Sequence, residues 1–405
     1  MRAMRKLFLV SALLIIAPCA FAQQDVADPA ADARIRLGPL ALTATFSLIN
    51  AGIDTNVFNE PDQAGPKRDF AMTLEPKTDW WLRMGRTWFL GNVTGGLVYY
   101  NKYENQRSIN GLYKAGWLVP MTRLTLRADG SYLRTRDRPG FEIDARAQRS
   151  EVAVDGSLEI RALSKTFVGL KANRQNVKYA KDALFFGQNL RDGLNRTVTA
   201  GAVTFRHQIT PLTSLTLDVG KEQTRFQLSP LRDSDSTAIV AGVKFDPFAL
   251  VKGSATFGYR DFEPLVPGLP KYKGTTAAVD LTYLGPTSTK LTVKGMRDLQ
   301  YSYDINQPYY LQTGVTGEVM QRIFGPLDVV GRAGIARLEY RDRIGAEVPV
   351  SNRVDTIHIY GGGVGYRIGK DFRVGVNVDQ QKRDSQAALR QYDGLRYGTS
   401  LTYGF

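Results

Sequence analysis

The chain has 405 residues, a formal net charge of +14 at neutral pH, two histidines and a single cysteine. That leaves little material for disulfides, metal-thiolate sites or a cysteine nucleophile. Beyond residue 22 no apolar run reaches the roughly 18 residues of a spanning helix, so helical membrane spans are excluded. The basic balance comes without a basic helix or a long Lys/Arg run, which sets nucleic acid aside as a partner.

Residues 1–22 read as a signal peptide. Arg2, Arg5 and Lys6 precede the apolar run Leu7–Ala17, and Ala20-Phe21-Ala22 supplies small residues for cleavage before Gln23. The only cysteine, Cys19, falls inside this leader behind Pro18, where a lipoprotein would want a small residue. Three of the positive charges leave with the leader, so the mature chain keeps roughly +11. Residues 23–39 form a short polar lead-in, expected in the periplasm. From Leu40 to Phe405 one unit repeats: a strand, a tight connection, a second strand and a longer polar connection.

The tight connections are Leu-Val-Pro-Met at 118–121, Ile-Thr-Pro-Leu at 209–212, Phe-Asp-Pro-Phe at 245–248, Leu-Gly-Pro-Thr at 284–287 and Phe-Gly-Pro-Leu at 324–327. Proline cannot donate to a ladder, so each marks where a strand stops. The longer connections, such as 56–68, 136–147, 180–193 and 343–352, are rich in Asp, Asn, Arg, Gly and Pro. Short turns on one side and long polar loops on the other are the asymmetry of an outer-membrane barrel, and place the loops at the cell surface. The spacing predicts about 18 strands, 16 to 18 being the expected range, in an all-β, antiparallel, up-and-down transmembrane β-barrel.

Within the strands side chains alternate. Val251, Gly253, Ala255, Phe257 and Tyr259 oppose Lys252, Ser254, Thr256, Gly258 and Arg260; Val374, Val376 and Val378 oppose Arg373, Gly375, Asn377 and Asp379. In such a barrel the apolar set meets lipid and the polar set lines the lumen. Aromatics gather at strand ends. Trp88, Phe89, Trp117, Phe167, Phe245, Tyr283, Phe324 and Phe372 lie by the tight turns. Tyr99, Tyr100, Tyr132, Tyr179, Phe226, Tyr259, Tyr301, Tyr303, Tyr340 and Tyr392 lie on the loop side. Two such bands predict interfacial girdles. The last stretch, Leu395–Phe405, alternates apolar and small or charged residues, and ends on an aromatic; Tyr403 and Phe405 are the expected assembly signal for the barrel assembly machinery.

The segment Gly52-Ile53-Asp54-Thr55-Asn56-Val57-Phe58 resembles the opening motif of the outer-membrane β-barrel porins found with exopolysaccharide systems, with Thr55 where the family pattern has a second Asp. Gly365-Tyr366-Arg367-Ile368, Arg383-Asp384-Ser385, Tyr392 and the Tyr403-Gly404-Phe405 close are similar too. The resemblance implies an outer-membrane barrel with a role in secreting or passing polysaccharide.

No catalytic constellation emerges. His207 is expected near a periplasmic turn, His358 lies mid-strand with Asp355 on the opposite face, and neither has a serine partner at a distinctive spacing, so no enzyme and no cofactor are expected. Asp54 and Asn56 are oxygen ligands that calcium could use, or a turn-forming pair. The alternation places Arg123, Arg127, Lys244, Lys252, Arg260, Lys290, Lys294, Arg332, Arg373 and Arg396 on the lumen face, with Asp129, Asp155, Asp218, Glu222, Asp280, Asp298 and Asp379 as acids. Of these, Arg127, Lys244, Lys252, Lys290, Lys294, Arg373 and Arg396 are the candidate lumen-facing basic residues. They either form a ladder of ion pairs or draw anions inward. The functional expectation is an outer-membrane channel for anionic solutes or exopolysaccharide. The alternative is a non-conducting anchor or adhesin acting through its surface loops.

Overall fold

Long amphipathic strands in sequence-adjacent pairs leave one arrangement that satisfies every backbone group in a bilayer, a sheet closed on itself. The computed structural model describes residues 28–31, 33–246, 249–286 and 288–404. The expected leader at residues 1–22, its expected cleavage site and Phe405 lie outside the described residues. The spanning strands are β1 (Leu40–Asp54), β2 (Asp69–Met84), β3 (Thr87–Tyr100), β4 (Ser108–Pro120), β5 (Leu124–Thr135) and β6 (Arg149–Leu163). They continue as β7 (Thr166–Tyr179), β8 (Arg196–Thr210), β9 (Thr213–Phe226), β10 (Ser234–Phe245), β11 (Val251–Pro264) and β12 (Tyr272–Leu284). The last are β13 (Thr289–Tyr301), β14 (Tyr309–Phe324), β15 (Leu327–Arg341), β16 (Val354–Ile368), β17 (Phe372–Ser385) and β18 (Tyr392–Tyr403).

Each strand pairs antiparallel with its neighbours in sequence, and β18 returns to β1 with Phe46 opposite Tyr403 and Asp54 opposite Arg396. The result is a closed 18-strand antiparallel barrel. At the closing seam the register shifts between Leu48 and Ala51, where Asn50 adopts φ 55°. This is a bulge that bends β1 onto its partner. Gly85 and Gly369 turn the chain at φ 60° and 65°, a left-handed conformation that residues with a Cβ resist.

Apolar side chains point away from the barrel axis. Leu215, Leu217, Val219, Ile239, Phe257, Val315, Val376 and Val378 are all exposed. In water that surface would be untenable; in hydrocarbon it is the favourable one. The strands have 12–16 residues, enough to cross when tilted. Among the described residues the buried apolar clusters lie toward the two ends of the lumen. At the end of the tight turns Ala30 packs with Ala41 and Trp88, beside Trp81, Leu90 and Leu118. The short strand Ile35–Leu37 folds back on Leu40–Leu42, and Arg34 pairs with Asp371 at 2.8 Å.

The aromatic bands are only half as expected. Phe89 and Trp117 stack on the lipid face at 6.1 Å, and Tyr132, Tyr259 and Tyr283 are exposed there. Trp88 and Phe167, however, are buried in the lumen wall, Phe167 beneath the guanidinium of Arg206. Tyr100, Tyr179, Phe226, Tyr340 and Tyr392 are buried as well. These rings share strand ends with the girdle but sit at the opposite parity, so they fill the lumen instead of meeting the interface.

Candidate functional site: the lumen and its outer mouth

The lumen has two zones. In the periplasmic half, lumen-facing ions form ladders. Arg127 holds Asp129 at 2.6 Å, Lys171 holds Asp218 at 3.0 Å, and Arg332 bridges Glu318 at 2.8 Å and Asp379 at 2.6 Å. Arg373 and Arg367 converge on Asp328, which is fully buried, at 3.0 and 2.9 Å. Arg373 fits because β16 presents Gly365 to it; a Cβ there would lie 2.2 Å from the guanidinium.

Register shows which of the sequence-selected lysines share a row. Lys244, Ser254, Asp280 and Lys294 form one cross-strand row over β10 to β13. Lys294 reaches Asp280 at 3.6 Å, with both side chains largely exposed. Lys244, Lys252 and Lys290 form no ion pair among the described residues, and Lys114, which the sequence did not single out, joins them. Arg396 instead pairs with the buried Asp54 at 2.7 Å. Of the seven basic candidates, therefore, Arg127, Lys294, Arg373 and Arg396 are engaged and Lys244, Lys252 and Lys290 are not. Tyr403 is exposed on the outer face opposite Phe46 and Phe372.

The outer mouth is a packed assembly of connections. Residues 136–147, expected at the cell surface, fold into the barrel instead, and Glu142, Ile143, Asp144 and Ala147 are buried there. Ile143 and Ala147 join Val177 and Tyr179 of β7 and Ala183, Phe185, Leu190 and Leu194 of the β7–β8 connection. Phe141 packs on Tyr310, Leu338, Tyr340 and Ile357 from β14 to β16. The inward fold follows from the loop's composition. Two apolar residues and two carboxylates within four positions find both an apolar wall and arginines inside the mouth, and neither in water.

Charge fixes the loop in place. Arg383 of β17, fully buried, donates to Asp144 at 3.1 Å and also to Asp355, while Ser385 donates to Asp355. Arg390 reaches Asp144 at 3.4 Å and the carbonyl of Glu142, and its guanidinium lies 4.9 and 5.0 Å from the rings of Phe185 and Phe186. The Glu142 carboxylate accepts from Ser302 Oγ at 2.6 Å and from the Tyr303 N–H at 3.2 Å. Burial pushes its pKa up to about 6, against the lowering pull of Ser302, Arg390 and Arg353. Two further arginines bind carbonyls only. Arg138 donates to Asp144 O and Val57 O, and Arg232 to Ser302 O and Tyr303 O. Burial lowers both, Arg232 to about 10.

The opening motif belongs to the same mouth. Asp54 Oδ1 accepts from the Asn56 N–H, and Asn56 bonds Glu60 and the Asp393 carbonyl. The pair therefore builds a turn that ties β1 to β18 and offers the Val57 carbonyl to Arg138. Arg383 and Ser385, quoted above only for their resemblance, are the latch. Glu142 and Asp144 escaped sequence reasoning because they lie in a polar connection that reads as exposed. Among the described residues no group of three or more His, Cys, Asp or Glu is placed to hold a metal ion.

A closed barrel with an apolar exterior, a charged lumen and inward-folded loops defines a porin-like barrel of the outer membrane. The chain belongs to the family described as Putative beta-barrel porin 2, whose model matches residues 28–405. No curated protein matches it in sequence. Among solved structures it is similar to Pseudomonas aeruginosa OccK3 (OpdO), at 11% identity over 89% of this chain and 95% of that one, TM-score 0.45. Acinetobacter baumannii OccAB3 follows at 9% identity over 90% and 99%, TM-score 0.45. A bacterial polysaccharide outer membrane secretin is similar at 10% identity over 90% and 98%, TM-score 0.30.

Proposed function

We propose that this barrel is a gated channel that admits anionic solutes, an acidic exopolysaccharide among them. The observation that carries this reading is the imbalance of the periplasmic half. Asp129, Asp218, Asp280, Glu318 and Asp328 each have a cation within reach and Asp155 is held by Asn173, while four lysines, Lys114, Lys244, Lys252 and Lys290, have no acid among the described residues. Fixed positive charge left over in a confined aqueous space raises the local concentration of anions. The link to exopolysaccharide rests on the sequence motifs around Asp54 and Arg383 alone. The packed mouth favours a second reading, a non-conducting anchor whose loops are its working surface.

Planar-bilayer recording separates the two. The channel reading expects discrete conductance and, at low salt, a reversal potential on the anion side. The triple change Lys244→Glu, Lys252→Glu and Lys290→Glu should move that potential to the cation side, and the difference should fade as salt shortens the screening length. Absence of any conductance from folded protein, with the mouth opened as well as closed, would leave the anchor.

A further inference from the structure

At the outer ends of β4 and β5 the outward face of the barrel carries a groove of about 520 Å³ that the channel does not use. Its floor is apolar. Ile109, Tyr113 and Tyr132 are 77%, 51% and 42% exposed, and the two tyrosine rings stack at 6.3 Å. Parity puts them in line with Trp117, on the face that meets lipid. Gly111 makes the groove possible, since a Cβ there would come within 2.9 Å of the Tyr113 ring.

The upper rim is cationic. Arg134 is exposed and makes no ion pair or hydrogen bond among the described residues. Arg136 lines the same groove with its Nε buried and lacking an acceptor. Register adds a third charge, because Arg134 lies opposite Ser150 and Ser150 opposite Lys178, which is exposed and has no acid. Buried donors without acceptors are costly, and arginine is suited to phosphate through paired, charge-assisted bonds. An aromatic floor at the lipid boundary with unpartnered guanidinium groups just outside it matches a molecule that is apolar below and anionic above.

We propose that this groove binds a phosphate-bearing, acylated amphiphile of the outer leaflet, its phosphate on Arg134 and Arg136 and its acyl chain across Ile109, Tyr113 and Tyr132. A free anion would gain nothing from the floor. An uncharged glycolipid would leave the rim unmet. Lys178 stands near enough along the row to take a second phosphate.

Native mass spectrometry of the full chain in detergent tests this with a diphosphorylated, acylated glucosamine disaccharide and its dephosphorylated form as probes. The wild type should retain the phosphorylated probe and release the other. Arg134→Gln with Arg136→Gln should cut retention at least about tenfold, as loss of charged hydrogen bonds does, with heat-modifiable migration showing that the variant still folds. Equal retention of both probes by the wild type would overturn the proposal even if the variant failed to fold. So would unchanged retention by a folded variant, or displacement of the probe by inorganic phosphate, which would make this a simple anion site.

Discussion

At the outer mouth Arg383 is fully buried and shared between Asp144 and Asp355. Farther down the same barrel, Lys252 stands on the lumen face with no carboxylate in reach. Both are basic side chains at inward parity on amphipathic strands. They differ in the company that the connections bring. Near the mouth the connections fold over the lumen, and Glu142, Asp144 and Asp355 each meet an arginine or a hydroxyl, because a buried unpaired ion costs several kcal/mol. Farther down, Lys252 is only half-buried, and a lysine that keeps solvent contact costs little without a partner. Charge thus locks the mouth, while part of it is left unpaired farther down.

The largest effect should come from breaking the lock. Replacing Arg383 by Ala leaves Asp144 with Arg390 alone and Asp355 with Ser385 and the longer Arg353 contact, a change of at most about 3–5 kcal/mol for a broken buried pair. We expect residues 136–147 to leave the lumen and single-channel conductance to rise several-fold. Lys252→Ala should leave conductance nearly unchanged. A closed Arg383→Ala channel would show that apolar packing around Ile143 and Phe141 holds the loop alone.

A smaller effect follows from Glu142. Its pKa is raised to about 6 in the closed mouth and returns to about 4.3 once the loop is solvated. The closed state therefore binds the proton more tightly. Its advantage is complete below the solvated value and is lost as pH rises through about 6, a swing on the order of 2 kcal/mol. Open probability in bilayers should increase from pH 5 to pH 7. Glu142→Gln should stay closed across that range, and a pH response that survives the change would place the switch elsewhere.

Selectivity should sharpen the contrast within the periplasmic half. Lys252→Gln should weaken anion preference at low salt, whereas Arg127→Gln should alter it less, since Arg127 is already neutralised by Asp129. Equal shifts in reversal potential would mean that the ladder pairs are open to solutes.

The mildest test is labelling. A cysteine at Asp192, which is exposed, should react with an impermeant reagent on whole cells, while one at Asp144 should be protected. A cysteine at Lys370, in the turn after β16, should stay silent until the outer membrane is breached. Labelling at Asp144 equal to that at Asp192 would dissolve the distinction between mouth and surface.

The strand count and the antiparallel order were legible in the chain because each depends on period-two alternation and on turns, which are local. The closing contact of β1 with β18 followed from the even number of strands. What alternation could not decide was which inward residues meet protein and which meet water. Trp88 and Tyr340 look like girdle rings by position along the strand, yet lie on the lumen face beneath the lead-in and the loops. Glu142 and Asp144 look like solvated loop acids, yet their partners Ser302, Arg383 and Arg390 come from 160 to 248 residues away in the chain. Sequence by itself determined the barrel, because hydrogen bonding and parity are settled between neighbours. Only the tertiary structure decided the mouth, because the burial of a charge depends on contacts among connections that closing the barrel brings together.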